Sequence, residues 1–320
     1  MGEKMKYVLL SAVLTSLLAL PAAAETRLKI MSFNIWGGGQ NEDKGVDETV
    51  AAIRAAGADI VGLQETRLES DPCTAESCPA SGPSAAKAIA EALGYYAYDQ
   101  TQENAALWAN AVISRYPIGP ASAHDLGVPI DVNGVTVWAF NIHHDDEPYQ
   151  PYQLLGIEYG PAPFITTEAE AQNWANKTRG PAMDLLFEDM KQADGAAAVF
   201  VFGDFNEPSE YDWTVAAVAA GQQPVKVQWP TTHRLSEAGF VDTYRAAWPD
   251  PVAKPAYTWT PRGDELDKED HHDRIDFAFA RAPGLKVLSA AIVGEDGPRT
   301  DIAVTPWPSD HRATVAEVSF

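Results

Sequence analysis

The amino-acid sequence predicts a layered domain of the α/β (α+β) class, and three observations support this prediction. Short apolar runs typical of strands alternate with amphipathic helical segments along most of the chain. Apolar residues make up 46% of the 320 residues, which is ordinary for a globular protein with a sizeable core. No internal repeat, low-complexity tract or Pro/Gly/Ser-rich linker divides the chain, so we expect a single domain over residues 25–320.

The individual elements follow from the spacing of apolar residues. Val46, Val50 and Ile53 share one face of a helix that ends at Gly57. Helices are predicted over residues 47–56, 84–93 and 181–192. Strands are predicted over residues 28–35, 59–64, 95–98, 106–114, 135–142, 196–202, 274–280, 285–293 and 313–320. Between them lie a long aromatic-rich connection, residues 148–176, and an acidic loop, residues 263–273.

The first 24 residues have the three-part pattern of a secretory signal peptide. Lys4 and Lys6 precede an apolar stretch, and the small residues Ala22 to Ala24 offer a cleavage site. The apolar stretch is shorter than the roughly 20 residues that span a bilayer, and no other segment is long and apolar enough to do so. We therefore expect a secreted or periplasmic protein without a transmembrane segment.

The two cysteines, Cys73 and Cys78, lie in a Pro-flanked loop. In an oxidising compartment a local disulfide is the plain interpretation. Half of a metal site is the alternative, although no neighbouring Cys or His would complete it.

The acidic charge balance bears on the partners. The formal net charge is −22, from 23 basic and 45 acidic residues. A duplex-binding protein usually carries a basic face that neutralises phosphates, whereas divalent cations are attracted to an acidic protein. The charge disfavours a nucleic-acid partner without excluding one, since a local basic patch would suffice.

Polar residues stand at the ends of several apolar strands. Asn34 ends the first predicted strand, where a turn-forming role is the alternative because three glycines follow it. Glu65 ends the second strand, and a carboxylate there is costly unless it is paired or bound to a metal. Asp204 and Asn206 follow a strand buried on both faces, and strand alternation points both side chains the same way.

Histidines and further acids complete the candidate set. His143 ends a strand that carries Asn141 on the same face, although a structural role is the commoner one for such a histidine. Asp276 lies in an otherwise apolar strand, while Asp310 and His311 stand together before the last strand. A histidine that binds a phosphoryl oxygen or transfers a proton needs a carboxylate to fix its tautomer, and either Asp276 or Asp310 would supply it.

Taken together, these motifs resemble the endonuclease/exonuclease/phosphatase family, whose members include deoxyribonucleases, sphingomyelinases and inositol phosphatases. The resemblance runs from about residue 28 to residue 320. It is carried by Ser-Phe-Asn-Ile at 32–35, Leu-Gln-Glu-Thr at 63–66, Asn-Ala-Val-Ile-Ser-Arg-Tyr-Pro at 110–117, Asn-Ile-His at 141–143, Gly-Asp-Phe-Asn at 203–206, Arg-Ile-Asp-Phe at 274–277 and Ser-Asp-His at 309–311. The fold it implies is a four-layer sandwich, in which two stacked mixed β-sheets are flanked by helices.

The resemblance also implies roles for the candidate residues. Glu65 with Asn34 would hold a divalent metal, with Mg²⁺ preferred and Mn²⁺ as the alternative. Asp310 would reach the same ion or a second one. Asp204 would orient or deprotonate the attacking water, and Asn206 would bind a phosphate oxygen. His143 and His311 would contact the phosphoryl group, with Asp276 orienting His311.

One position departs from the family pattern. The abasic-site nucleases of this family carry an Asp two residues after the Asn of the first motif, and this chain has Trp36. A close match to DNA repair enzymes is therefore in doubt.

The substrate depends on the loops around the site, because family members share their catalytic residues and differ at the rim. In the aromatic-rich connection, Tyr149 and Tyr152 would stack on a substrate or simply anchor the loop. Lys177 and Arg179, which follow the connection closely, would help to bind phosphate. The first hypothesis is a metal-dependent hydrolase of a small or lipid-linked phosphate ester, preferably a diester, acting as a monomer. The second is a secreted, nonspecific nuclease. The third is a non-catalytic binding module.

Overall fold

The computed structural model describes residues 1–2, 25–68 and 84–320. The predicted signal peptide and the pair Cys73 and Cys78 lie outside the described residues, apart from the first two residues of the chain. No helix in the described part of the chain is long and apolar enough to cross a membrane.

Every predicted helix and strand has a counterpart in the structure, which also contains short helices and strands that were not predicted. The strands are β1 (Arg27–Asn34), β2 (Ile60–Gln64), β3 (Tyr96–Asp99), β4 (Ala111–Ser114), β5 (Gly127–Val132), β6 (Val135–His143), β7 (Ala198–Asp204), β8 (Val241–Asp242), β9 (Asp276–Arg281), β10 (Lys286–Gly294), β11 (Ile302–Ala303) and β12 (Ala313–Ser319). The helices are α1 (Asp47–Ala56), α2 (Ala85–Leu93), α3 (Gln150–Leu155), α4 (Glu168–Asp189), α5 (Val215–Ala219), α6 (Pro230–Glu237) and α7 (Thr243–Ala247). Two 3-10 helices span Trp36–Glu42 and Met190–Ala193.

The strands form two mixed sheets. The first has seven strands in the order β11-β10-β12-β1-β2-β4-β3, and the second has five in the order β5-β6-β7-β9-β8. In the first sheet β1 and β2 run parallel, and in the second β6 and β7 run parallel. Because the strands of each pair run parallel, their carboxyl ends lie side by side. Polar side chains from both sheets are placed at these ends.

Successive side chains of a strand point to opposite faces of its sheet, and this alternation gives each sheet one face toward the other sheet and one toward the helices. Ile30 faces the second sheet and packs in one core with Phe200 and Phe202, whereas its neighbour Met31 faces the helices α1 and α2. The outer face of the second sheet packs against α4 and α6. The four-layer sandwich of two stacked sheets with helices outside is therefore confirmed.

One predicted helix has the wrong beginning, because a proline was taken as its first residue. The predicted helix over 181–192 is α4, which starts at Glu168 and contains Pro181. Thr167 and Glu170 form a capping box that fixes this start. The predicted connection over 148–176 consequently contains α3 and the first turns of α4, and its irregular part is much shorter.

The strand predicted over residues 106–114 is confined to β4. The backbone of Ala109 is left-handed (φ 51°), which ends extended structure at that point. The strand β5 was not predicted. It pairs with β6 across a turn in which Asn133 and Gly134 both have positive φ, the two-residue hairpin geometry that Asn-Gly favours.

A buried ion-pair network anchors the start of β9. Arg274 is fully buried and donates to Asp242 through two nitrogens, at 3.0 and 2.7 Å, and to Asp212 at 2.9 Å. Burial alone would lower the pKa of Arg274, but these two carboxylates raise it above its usual range. The network fixes the chain two residues before Asp276.

Arg274→Met is expected to lower the free energy of unfolding by about 3–5 kcal/mol, because it leaves two buried carboxylates without this partner. Guanidinium denaturation followed by tryptophan fluorescence measures the change. Arg27→Met is the matched control, since Arg27 pairs with Glu25 in an exposed position, and its midpoint should equal that of the unaltered protein. A loss below about 1 kcal/mol for Arg274→Met would show that the network is not a stabilising anchor.

Candidate active site

The predicted polar residues meet at one end of the sandwich, in an open cleft of about 730 Å³. Strand pairing brings them together. His143 is in register with Asp204 across the parallel pair β6–β7, and Asp204 is in register with Asp276 across the antiparallel pair β7–β9. From the other sheet, Asn34 ends β1 and Glu65 follows β2. Both sheets thus contribute to a single cluster.

The amide of Asn34 bridges the two sheets at the floor of the cleft. Its nitrogen donates to Glu65 at 2.8 Å and to Asp204 at 3.0 Å. Its oxygen accepts from the main-chain amide of Trp36 at 3.2 Å. In this orientation Asn34 orders the two carboxylates and does not offer them an oxygen.

Glu65 has an unusual backbone and an unusual environment. Its φ is 53°, in the left-handed region that a non-glycine residue rarely adopts, and such positions cluster at functional sites. Burial raises the pKa of Glu65 to about 7, against the opposing effects of His143 and His311. An ionised Glu65 at this position would be stabilised by a cation.

Asp204 lies at the centre of the cluster and is 1% exposed. Its carboxylate accepts from the main-chain amide of Asn206 at 2.9 Å and lies 3.7 Å from Nε2 of His143 and 3.6 Å from Nε2 of His311. Phe205 points the other way, into the core between the second sheet and its helices, as strand alternation predicts.

Asn206 and His143 border the cleft on the side of the second sheet. The Asn206 side chain donates to the main-chain oxygen of His144 at 2.9 Å, and its backbone is left-handed (φ 45°). Nε2 of His143 lies 3.9 Å from the Glu65 carboxylate. The edge of its ring contacts Trp108, with ring centroids 5.9 Å apart.

His311 and Asp276 form a buried pair, with Nδ1 of His311 2.9 Å from Oδ2 of Asp276. Burial and the neighbouring Asp204 raise the pKa of Asp276, while His311 opposes that rise. Burial would lower the pKa of His311, but Asp276 and Asp204 raise it well above its usual range. Both carboxylates thus favour the charged form of His311, whose Nε2 lies on the side of Asp204.

Two hydroxyl groups that the sequence analysis did not single out hold this pair in place. Thr258 Oγ1 accepts from the main-chain amide of Asp276 at 3.1 Å. Ser309 Oγ donates to the main-chain oxygen of Asn34 at 2.7 Å and accepts from the amide of His311 at 3.0 Å. The Ser-Asp-His motif therefore joins the loop before β12 to the end of β1.

The donor set fits a divalent cation. One ligand atom each from Glu65, Asp204 and His311 lie within 4.8 Å of one another, and carboxylate oxygens are the donors that Mg²⁺ prefers. Since Mg²⁺ prefers oxygen donors, the two carboxylates are the better ligands of the three. Asp310 borders the same cleft. The ligand roles of Asn34 and Asp310 remain predictions.

Asn141 does not border the cleft. It is fully buried between the sheets, where its nitrogen donates to the main-chain oxygens of Leu63 at 2.8 Å and Ala111 at 3.0 Å and to the side chain of Gln100 at 3.0 Å. Its oxygen accepts from Gln64 at 2.6 Å. The predicted contact between Asn141 and substrate does not fit this position, because all of its polar atoms are engaged.

The two basic residues expected to bind phosphate also lie away from the cleft lining. Arg179 is fully buried, donates to Gln150 and lies 3.9 Å from Glu207. Lys177 lies over the ring of Trp174, 4.9 Å from its centroid. Their spacing on α4 directs one inward and the other outward, and neither reaches the catalytic cluster.

The aromatic residues predicted at the rim do line the cleft. The hydroxyl of Tyr149 donates to Asp273 at 2.8 Å, and that of Tyr152 donates to Asp270. Their rings meet edge to face, with centroids 4.9 Å apart. Hydrogen bonds to the acidic loop over residues 263–273 thus fix the orientation of both rings.

Two tryptophans of the cleft, Trp108 and Trp259, were not predicted from the sequence. The ring of Trp259 lies 4.8 Å from that of His311, centroid to centroid, and its backbone bridges to both His311 and Asp273. Trp259 stands in the run Tyr-Thr-Trp-Thr just before the acidic loop, a short extended segment that was not assigned to any element. Trp36 lies outside the cleft lining, beneath the guanidinium of Arg262 at 4.5 Å.

The comparisons with known proteins agree with this geometry. An uncharacterized protein of Caenorhabditis elegans is 25% identical over 312 residues, which cover 92% of this chain and 91% of that protein. The structure of truncated TDP2 from Caenorhabditis elegans superposes with a TM-score of 0.51 at 19% identity, covering 92% of this chain and 97% of that chain. The 3′ phosphatase NExo from Neisseria, bound to a product DNA hairpin, gives 0.50 at 16% identity, with 90% and 98% covered. At these identities the structures show the shared fold.

The sequence model of the Endonuclease/Exonuclease/phosphatase family matches residues 31–311, which is most of the chain. The match contains all of the catalytic cluster and every strand except β12 and the first residues of β1. This chain therefore belongs to the endonuclease/exonuclease/phosphatase family, whose members are divalent-metal-dependent hydrolases of phosphate ester bonds.

Proposed function

We propose that this protein hydrolyses a small-molecule or lipid-linked phosphate ester, preferably a diester, in the periplasm or the medium. One observation carries the proposal. Among the described residues that line the cleft there is no Lys or Arg, whereas Asp145, Asp146 and Glu147 form one stretch of its wall. A groove that holds a nucleic acid needs cations to neutralise the phosphates along the strand, so a long polyanion fits this cleft poorly.

The metal proposed for the site is Mg²⁺, held by Glu65 with Asp204 beside it. The bound ion would supply charge neutralisation at the phosphoryl oxygens and favour a hydroxide over a water molecule nearby. The raised pKa of Glu65 supports a cation here, because burial otherwise disfavours its ionised form.

The chain's own residues would divide the remaining work. Asp204 orients the attacking water and accepts its proton. The imidazolium of His311, fixed by Asp276, donates a hydrogen bond to a non-bridging phosphoryl oxygen, and His143 and Asn206 contact the same group from the second sheet. Donors fixed before the substrate binds stabilise the developing charge without reorganising.

A nonspecific nuclease is the second candidate. The structural neighbour from Neisseria is bound to a product DNA hairpin, and its fold is shared by this chain. Against this candidate stand the net charge of −22 and the acidic wall of the cleft. Local contacts outside the cleft would have to overcome both.

The mature protein with Mg²⁺ is expected to hydrolyse bis-p-nitrophenyl phosphate and to leave supercoiled plasmid intact, because the cleft accepts a small diester and repels a polyanion. Release of p-nitrophenolate and nicking on agarose gels measure the two activities. EDTA should abolish the first. Asp204→Ala and His311→Ala should each lower kcat by at least ~10²-fold, as expected for groups acting on the reacting atoms.

The two variants also control for contaminating nuclease. Plasmid nicking that disappears with EDTA and in both variants would make the protein a nuclease and overturn the proposed substrate class. Turnover that is unaffected by EDTA would overturn the proposed metal.

Asp276→Asn is expected to lower kcat by ~10²–10⁴-fold while leaving the protein folded. The amide keeps the volume of the side chain, but it no longer holds His311 as an imidazolium with Nε2 toward the phosphoryl group. Hydrolysis of bis-p-nitrophenyl phosphate and the thermal unfolding midpoint measure the two effects. Asp194→Asn, an exposed site away from the cleft, is the control, and equal activities of the two variants would remove Asp276 from the mechanism.

The proposed export has its own test. When the full chain is expressed in a bacterial host, it should appear in the periplasm or the medium. Its mass should be that of a chain whose first residue is Glu25, because Ala22 to Ala24 form the proposed cleavage site. Replacing Ala22 and Ala24 with Leu should block cleavage. Recovery of the intact chain from the cytoplasm alone would contradict the proposal.

A further inference from the structure

A fully buried ion pair lies directly behind the wall of the cleft. Arg179 projects inward from α4, and Glu207 is the residue that follows Asn206. Both side chains are completely shielded from solvent, and Nη1 of Arg179 lies 3.9 Å from Oε2 of Glu207. Burial raises the pKa of Glu207, and the guanidinium of Arg179 opposes that rise. Neither residue lines the cleft, whereas the residue before each of them, Thr178 and Asn206, does so.

The guanidinium of Arg179 holds the segment of chain that forms the wall. It donates through Nη2 to the main-chain oxygens of Asp146 and Pro148, at 3.5 and 3.3 Å, and through Nη1 to the side chain of Gln150. A planar guanidinium presents its donors in fixed directions, so it can join several acceptors at once, as the single nitrogen of a lysine cannot. Arg179 thereby fixes the backbone on both sides of the cleft-lining residue Glu147.

The carboxylate of Glu207 attaches the other member of the pair to α6. Its Oε1 accepts from the main-chain amide of Thr231 at 2.8 Å and from the hydroxyl of Thr231 at 2.7 Å, in the first turn of that helix. Its Oε2 has no hydrogen-bond donor among the described residues, and the guanidinium of Arg179 is the charge that stands opposite it. The turn at residues 206–207 is thus attached to α6 on one side and to α4 on the other.

Asn206 is the cleft residue on which both attachments converge. Its side-chain nitrogen donates to the main-chain oxygen of His144 at 2.9 Å, and its backbone has a φ of 45°, in the left-handed region. His144 lies at the start of the segment that Arg179 holds, and Glu207 fixes the chain immediately after Asn206. The amide of Asn206 is therefore held from both of the segments that Arg179 connects.

A purely stabilising role does not account for this pair. Two buried charges lose their hydration, and a buried ion pair is often no more stabilising than apolar side chains of the same volume. An ion pair adds direction, because its charges and hydrogen bonds are satisfied together in only one arrangement of the segments that they join. Arg179 and Glu207 define such an arrangement next to the reacting group.

We propose that Arg179 is a positioning residue for the reaction, which acts through Glu207 and the segment 146–150 to fix the amide of Asn206 against the phosphoryl group. The inference rests on the proposed contact between Asn206 and that group. An amide that shifts by about 1 Å loses its alignment with a phosphoryl oxygen, and misplacements of this size lower turnover by up to ~10²-fold. The effect is therefore expected in kcat.

A double-mutant cycle tests the inference. Arg179→Met combined with Glu207→Gln removes the pair without leaving a buried charge unpaired, and the glutamine keeps an acceptor for Thr231. In the otherwise unaltered protein this combination should lower kcat for bis-p-nitrophenyl phosphate by about tenfold or more, because Asn206 is no longer held in place. In the Asn206→Ala background it should change kcat by less than about twofold, because the group through which Arg179 acts has already been removed.

Two further variants control for a loss of stability. Glu207→Asp keeps the charge and withdraws the carboxylate by one methylene group, so it should give the same difference between the two backgrounds. If the combined variant does not fold, the cycle with Glu207→Asp decides the inference. Arg281→Met removes an arginine that donates to the main-chain oxygen of Ala238 at 3.0 Å, at the end of β9 away from the cleft, and should leave kcat unchanged. Guanidinium denaturation verifies that each variant is folded under the assay conditions.

The outcomes separate the inference from the proposed function. Equal factors in the two backgrounds, or an unchanged kcat, would overturn the inference and leave a metal-dependent hydrolase in place. A pair that only stabilises the fold would give this result together with a lower unfolding midpoint. Full activity of Asn206→Ala would overturn the role of Asn206 and the inference together, although the unaltered protein still turned over the ester with Mg²⁺. Absence of metal-dependent turnover by the unaltered protein would overturn the proposed function and the inference with it.

Discussion

A small network of buried polar side chains ties the two sheets together, and the position of every active-site residue depends on it. Asn141 of the second sheet donates to the main-chain oxygen of Leu63 in the first sheet at 2.8 Å, and Gln64 donates back to it at 2.6 Å. Nearby, the amide of Gly203 donates to Ser32 at 3.0 Å. Directional bonds inside a low-dielectric core are costly to leave unmade, so they fix the sheets in one relative position where apolar contacts alone would tolerate sliding.

The close approach of the sheets makes the catalytic cluster possible. At Gly62 a Cβ atom would lie 2.5 Å from the Cβ of Phe202, so the absence of a side chain lets β2 and β7 come this near. Gly62 is in register with Ser32 of β1, and two residues further along that strand Asn34 reaches from the first sheet to Asp204 of the second. The carboxylates of Glu65 and Asp204, from different sheets, can then face a single cation. The short distance between the sheets and the convergence of the two carboxylates are consequences of the same packing.

The ends of the strands could be predicted from the sequence, whereas the burial of individual polar residues could not. Asp204 and His143 could be placed because a period-two apolar run states both where a strand ends and which way its last side chain points. The same pattern put Asn141 on the face of His143 correctly, but periodicity cannot show that the opposing sheet supplies partners for it. Arg179 was misjudged for a similar reason, since its buried acceptors come from a distant loop. Trp259 lies in no element that its sequence predicts, so the neighbouring residues did not indicate its contact with His311.

The distribution of charge in the cleft bears on the proposed preference for a diester over a phosphomonoester. When ionised, Glu65, Asp204 and Asp276 carry three negative charges on the catalytic side, which one divalent cation and a protonated His311 would together offset. A monoester adds close to two negative charges to that site, whereas a diester adds one. On the proposed function, the acidic character that disfavours a long polyanion is compatible with a small ester that carries a single negative charge.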